Sequence, residues 1–137
     1  LKAGADIDVA VEEFIRWVTP ILNMCRVANQ DYEIGGETIR QGQQVVLMYP
    51  SANRDEDHFT DADALDVTRH PNNHIAFGFG THFCLGASLA RLEIKAMFQE
   101  LLAKVDRFER PADGAVVDIP NWFVYGLTTA DIPVVPN

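Results

Sequence analysis

An α+β fold, mainly α, is predicted for this 137-residue chain by three features of its sequence. Two stretches carry apolar residues at helical spacing. Between them lie short runs with strand character, broken by Gly35-Gly36 and followed by a long polar segment. The tail returns to short β-branched runs separated by turn residues. With 47% hydrophobic residues, the chain can build one compact domain or one part of a larger one.

The first helix is expected from Asp6 to about Val18. Asp6 or Asp8 can cap it, and Val9, Ala10, Phe14, Trp17 and Val18 recur at helical spacing. Thr19-Pro20 ends it, because a proline biases its predecessor away from the α region. Strand-like runs follow at 22–28, 31–34, 37–40 and 45–48, with Gly35-Gly36 as a hairpin turn. Residues 50–76 are polar and irregular, and a segment of this length without regular structure is often functional. From Ala87 to about Val105 the helical pattern is strongest. Ala90, Ile94, Met97 and Leu101 form a stripe widened by Leu89, Phe98 and Leu102, opposite a polar face of Ser88, Arg91, Lys95 and Gln99. Tail strands are expected at 116–117, 123–127 and 132–135.

Composition excludes several function classes. A net charge of -9 argues against nucleic-acid binding, which calls for a basic patch, and against docking on an anionic membrane surface. No apolar run approaches the roughly 20 residues of a membrane span. With Cys25 and Cys84 as its two cysteines, the chain has no disulfide framework, and a reducing, cytoplasmic setting is expected.

The stretch Phe77-Gly78-Phe79-Gly80-Thr81-His82-Phe83-Cys84-Leu85-Gly86 sets one cysteine among glycines and aromatics, just before a helix. A structural zinc site wants four Cys or His ligands, and an iron–sulfur cluster wants three or four cysteines. Covalent c-type haem needs a CxxCH run, which is absent. A cysteine hydrolase would pair Cys84 with a distant histidine, and a helix N-terminus could lower its pKa. A small buried hydrophobe is the ordinary role of a free cysteine. Neither of the last two needs Gly78, Gly80 and Gly86 around the sulfur. Haem with an axial thiolate does use a single cysteine, and glycines let a flat macrocycle approach the backbone.

Phe77-x-x-Gly80-x-x-x-Cys84-x-Gly86 resembles the haem-binding signature of the cytochromes P-450, the haem-thiolate monooxygenases. The resemblance implies haem b, with Cys84 as the axial ligand of the iron and Phe77, Gly78, Gly80, His82, Gly86 and Arg26 around the cofactor. Arg26 and His82 match positions that pair with haem propionates. The family's Glu-x-x-Arg helical pair is matched by Glu13 and Arg16. Glu37-x-x-Arg40 matches the pattern too, but on a strand residues three apart point to opposite faces. The resemblance completes the pair with an arginine from the loop before the cysteine, for which Arg54 in "SANRDEDHF" is the match.

The resemblance covers essentially the whole chain but the C-terminal third of a normal family member, closest to soluble bacterial members acting on steroids or terpenoids. Ala3-Gly4-Ala5-Asp6 looks like the start of the family's oxygen-activating helix, but Ile7 replaces its hydroxyl residue. That helix is expected to lie upstream, and residues 1–137 alone are expected to be inactive. The implied function is hydroxylation of a small hydrophobic substrate (steroid, terpenoid or fatty acid) using O₂ and two electrons from a ferredoxin-type donor. Ile21, Leu22, Asn23, Met24, Phe123 and Val124 resemble the family's substrate-lining loops. Arg91 and Lys95, four apart on the polar face of their helix, are expected to dock the donor. A haem-binding sensor without turnover, a cysteine-dependent hydrolase and a cofactor-free interaction module are the alternatives.

Overall fold

The computed structural model describes residues 1–109 and 116–137 and shows helices with small two-stranded sheets. Helix α1 spans Ile7–Val18. Its N-cap is Asp6, whose side chain accepts a hydrogen bond from the Asp8 N–H at 2.8 Å, satisfying one of the helix's unpaired first-turn donors. It ends at Thr19, which adopts the left-handed region (φ 40°) ahead of Pro20. This conformation is costly for a β-branched residue and is held by two hydrogen bonds. The Thr19 hydroxyl donates to the Arg16 carbonyl at 2.5 Å and accepts from Asn53 Nδ2 at 2.8 Å.

Strand β1 (Asn23–Val27) pairs antiparallel with β4 (Gln44–Met48), placing Cys25 opposite Val46. Between them, β2 (Tyr32–Ile34) and β3 (Glu37–Ile39) form a hairpin closed by Gly35 and Gly36 at φ 58° and 82°. Two consecutive positive φ values are what a tight hairpin turn requires, and glycine supplies them without steric cost. A four-residue helix, α2 (Tyr49–Ala52), opens the polar segment, which then runs through turns to residue 76. Helix α3 spans Ala87–Lys104.

The tail differs from expectation in two places. The chain leaves α3 directly into a strand, β5 (Val105–Phe108), which the helical pattern had obscured. The strand expected at 123–127 lies later, at β7 (Leu127–Ala130), paired with β6 (Val116–Asp118). β5 pairs with the terminal β8 (Val134–Pro136), and Asn137 bonds back to the last turn of α3. Residues 122–125 serve instead to tie the tail to the segment after α1. Leu22 N–H donates to Phe123 O (2.9 Å), and Tyr125 N–H donates to Pro20 O (2.7 Å).

The apolar core is small. Val11 and Ile15 of α1 pack with Ala76, and Ile7, Phe77 and Ile94 close around them. Phe14 of α1 stacks on Phe98 of α3 with ring centroids 4.6 Å apart. Met97 of the apolar stripe of α3 is half exposed, as are Leu89 and Leu92. The stripe that meets α1 is therefore Ile94 and Phe98, with apolar residues left on a second face. The largest fully buried side chains are polar: Arg16, Glu13, Asn53 and Thr19. Asn53 donates to Thr19 at the end of α1, and its Oδ1 accepts from the Ile75 N–H at 2.8 Å.

Asn53→Ala should therefore strand the part-buried Ile75 N–H and remove the donor to the Thr19 hydroxyl, which keeps its own bond to the Arg16 carbonyl. At about 1–3 kcal/mol for an unsatisfied buried group, the loss should be of that size in denaturant unfolding. Asn53→Asp, which keeps the acceptor for Ile75, should lose less. Equal, small losses for both would show that Asn53 is not the tie.

Candidate functional site

Residues three apart share a helix face, so Glu13 and Arg16 of α1 meet side by side. Arg16 Nε and Nη2 donate to the two oxygens of Glu13, both at 2.7 Å, in a forked pair that is wholly buried. The remaining Arg16 donors reach three backbone carbonyls: Asn53 (2.7 Å), Ala62 (2.9 Å) and Ala64 (3.0 Å). All five guanidinium N–H groups are thus used, which lysine could not reproduce. Glu13 also accepts from the Asp66 N–H (2.8 Å), Asn72 Nδ2 (2.9 Å) and Arg69 Nε (3.2 Å). Burial raises the Glu13 carboxyl, but these hydrogen bonds and the Arg16 charge outweigh it and hold it below the usual carboxylate range.

The structure corrects the expected third member. Arg54 does not touch Glu13. It lies over the Trp17 ring at 4.8 Å, donates to the Trp17 carbonyl and approaches Asp63 at 3.6 Å. Arg69 takes the place instead, braced by the carbonyls of Thr60, Asp61 and Ala64. Both arginines precede Cys84 in the polar segment, and nothing in their sequence spacing says which one turns inward. Glu37 is on an exposed strand, and Arg40 pairs with Asp31.

Next to Glu13, Glu12 faces α3. It accepts two hydrogen bonds from Arg91, at 2.5 and 2.9 Å, and approaches His74 Nε2 at 3.1 Å. The Ala76 N–H donates to His74 Nδ1 (3.2 Å), so Nε2 carries the proton and the ring is neutral. Burial lowers the His74 pKa, and the opposing charge of Glu12 does not restore it. Burial raises the Glu12 carboxyl, but Arg91 and His74 bring it below its ordinary value. Lys95 pairs with Asp8 of α1 at 2.7 Å. Arg91 and Lys95, the residues expected to dock the electron donor, are thus engaged in ion pairs within the chain. Both cations are neutralised by carboxylates of α1 and join the two helices.

Phe77 to Gly86 form a tight loop entering α3. Gly78 and Gly80 adopt φ 74° and 71°, which side chains rarely tolerate. Gly86 has an ordinary φ of -83°. A Cβ there would lie 3.9 Å from Cys84 Sγ, so glycine keeps space open beside the sulfur. The Cys84 N–H donates to the Phe77 carbonyl at 2.9 Å, and the Cys84 carbonyl accepts from Ala87 at the start of α3. Cys84 itself is exposed, as a free thiol.

The loop borders a cleft of about 880 Å³. Its apolar walls include Phe14, Ile15 and Val18 of α1, Ile94 and Phe98 of α3, and Phe77. Cys84, His82 and Arg26 line it as well. Of the expected substrate-lining residues, Ile21 and Met24 border the cleft. Leu22, Asn23, Phe123 and Val124 instead bind the two loops together: Asn23 Nδ2 donates to Trp122 O, and Ile21 bridges Val124. An apolar cleft with one thiol and two cationic or hydrogen-bonding side chains fits the chemistry of haem, a flat apolar ring carrying two carboxylates. Among the described residues, no cluster of three or more His, Cys, Asp or Glu could hold a metal ion by itself. No helix of the described residues is long and apolar enough to cross a membrane.

Known proteins are similar to this chain in sequence and fold. Residues 7–132 match the family model described as cytochrome P-450. The chain is 43% identical over 129 residues to steroid C26-monooxygenase of Mycobacterium tuberculosis, covering 93% of this chain and 32% of that protein. It is 40% identical over 131 residues to linalool 8-monooxygenase of Pseudomonas putida, covering 96% of this chain and 32% of that protein. The crystal structure of CYP109E1 from Bacillus megaterium in complex with testosterone superposes with a TM-score of 0.87 at 36% identity, covering 93% of this chain and 36% of that one. The chain thus spans about a third of the length of these relatives.

Removing one partner of a buried ionic network costs roughly 3–5 kcal/mol because it strands a charge. Glu13→Ala should lose that much, and Glu37→Ala should stay within about 0.5 kcal/mol of the parent, as exposed positions do. Equal tolerance in chemical denaturation would exclude the network. Acid should also destabilise the fold. Glu12 and Glu13 contribute stability that is present above the ordinary carboxylate range and is lost as pH falls. The unfolded chain protonates His74 below about pH 6.5, before the folded chain does. The thermal midpoint should thus decline from pH 7 downward, and His74→Gln should flatten the decline near pH 6. A midpoint insensitive to pH between 7 and 5 would contradict the assignment of a neutral buried His74.

Proposed function

The chain belongs to the cytochrome P-450 family, and from that premise we propose that it forms the thiolate side of a haem-b monooxygenase, an oxidoreductase that hydroxylates a small hydrophobic molecule. The observation that carries this reading is the placing of Cys84, an exposed free thiol, in the lining of an apolar cleft that Arg26 and His82 also line. When bound, haem supplies the oxygen-activating chemistry that side chains lack.

The residues of the chain hold and tune that group. Cys84 Sγ, placed just before α3, would hold the iron of that group. Arg26 and His82 would hold the carboxylates of the ring edge through hydrogen bonds. Gly78, Gly80 and Gly86 keep the backbone low against the ring, while Phe77 and the walls from α1 and α3 exclude water. Glu13, Arg16 and Arg69 carry the fold beneath the loop and touch no substrate.

Ile21 and Met24 shape the cleft on the substrate side, supported by Leu22, Asn23, Phe123 and Val124. Relatives named for a steroid and for linalool point to a hydrophobic substrate of steroid, terpenoid or fatty-acid type. The two electrons come from a ferredoxin-type donor in a cytoplasmic setting.

In the longer protein, the reduced, CO-bound form should show the red-shifted Soret band of thiolate ligation, and Cys84→Ser should abolish it. Arg26→Ala should weaken haem retention without moving the band. A spectrum unchanged by Cys84→Ser would overturn the proposed ligand.

A further inference from the structure

The segment that carries Cys84 leaves the polar region at His74 and re-enters regular structure in α3, which carries Arg91. Both ends of this excursion close on a single carboxylate. Glu12 of α1 receives His74 on one side and the Arg91 fork on the other. Both partners then converge on Phe77 and its immediate neighbour. The Arg91 guanidinium carbon lies 4.6 Å from the Phe77 ring centroid, a cation–π contact. His74 Nδ1 holds the N–H of Ala76, the residue before Phe77, and the two rings lie 6.0 Å apart. Phe77 in turn supplies the carbonyl that accepts the Cys84 N–H.

We propose that Glu12 is a positioning residue for the thiolate: through Arg91 and His74 it fixes Phe77, and with it the backbone bond that aims the Cys84 sulfur. The inference rests on the haem-thiolate reading above and assigns to that site a determinant remote from the sulfur. Holding the fold together is not the main task of Glu12. The α1–α3 contact has its own stack, Phe14 on Phe98, and its own ion pair, Lys95 with Asp8. The buried network is anchored by Glu13, which is wholly enclosed, whereas the Glu12 side chain is 28% exposed. What Glu12 adds is a hydrogen-bonded tie between the stem before the cysteine and the helix after it.

The geometry also says which substitutions loosen the loop. Glutamine at position 12 offers one acceptor oxygen, and its NH₂ then meets a donor, either His74 Nε2–H or the Arg91 fork. Lysine at position 91 keeps a charge for Glu12 but lacks the plane that lies on Phe77 and the forked pairing.

The test uses the longer haem-loaded protein with Glu12→Gln, Arg91→Lys and, as a control, Lys95→Met. The control cuts an α1–α3 ion pair without touching Phe77. Two quantities are read in the folded protein: the lifetime of the thiolate-type CO band on mild heating, and the reduction potential of the iron. Loss of an outer partner of a metal ligand commonly costs on the order of tenfold or more. Both Phe77-linked variants should accordingly lose the band about tenfold faster and shift the potential upward, as the sulfur donates less. Lys95→Met should lower the unfolding midpoint and leave both readouts at the parental values. If the parent shows the thiolate band and all three variants keep its lifetime and potential, Glu12 is fold glue and the inference fails alone. A parent without the band overturns the haem-thiolate reading, and this inference with it.

Discussion

A buried ion pair is the constraint on which the rest of this structure depends. Glu13 and Arg16 are removed from water completely, and a desolvated pair is tolerable only when its remaining hydrogen-bonding capacity is met. α1 cannot meet it, because its own backbone groups are committed to the helix. The partners come from Asn53, Ala62, Ala64, Asp66, Arg69 and Asn72. The polar segment therefore has a definite path without being helix or strand: the carbonyls of Asn53, Ala62 and Ala64 and the amide of Asp66 are taken up by two side chains, alongside the segment's own turns.

That path delivers the cysteine. Asn53 ties the end of α1 to Ile75, Ala76 enters the apolar core, and Phe77 opens the cysteine loop. Two adjacent glutamates thus divide the work. Successive helix residues lie about 100° apart, so Glu13 turns toward the polar segment while Glu12 turns toward α3. One carboxylate organises what precedes the loop, and the other joins the two sides of it. An apolar core as small as Val11, Ile15 and Ala76 with their neighbours would not place such a loop by itself.

The cleft combines two kinds of wall. Side chains on α1 and α3 present rigid apolar surface, whereas Arg26 comes from a strand and His82 from the loop itself. Charge is kept off the helical walls because Arg91 and Lys95, which could have lined a solvated face, are drawn into pairs with Glu12 and Asp8. The helices are bound by ion pairs at their edges and by the Phe14–Phe98 stack between them.

Much was legible in the residues alone wherever the information is local. Helix α1 with its Asp6 cap and Thr19-Pro20 stop, the Gly35-Gly36 hairpin and the body of α3 follow from spacing, capping and φ preference, which act within a few residues. The choice of Glu13-Arg16 over Glu37-Arg40 followed from the same local geometry, since a helix face brings the pair together and a strand separates it. The run from Phe77 to Gly86 marked Cys84 for the same reason. Tertiary structure alone decided that Arg69 and not Arg54 reaches Glu13, that Asn53 is buried, and that Arg91 and Lys95 are paired. It also decided that the strand expected at 123–127 lies at 127–130, paired with 116–118. Each of these depends on a partner remote in the chain: 56 residues separate Arg69 from Glu13, and 79 separate Arg91 from Glu12. Two arginines in one polar segment carry the same charge and the same reach. Only the packed path of the backbone determines which of them meets the buried carboxylate.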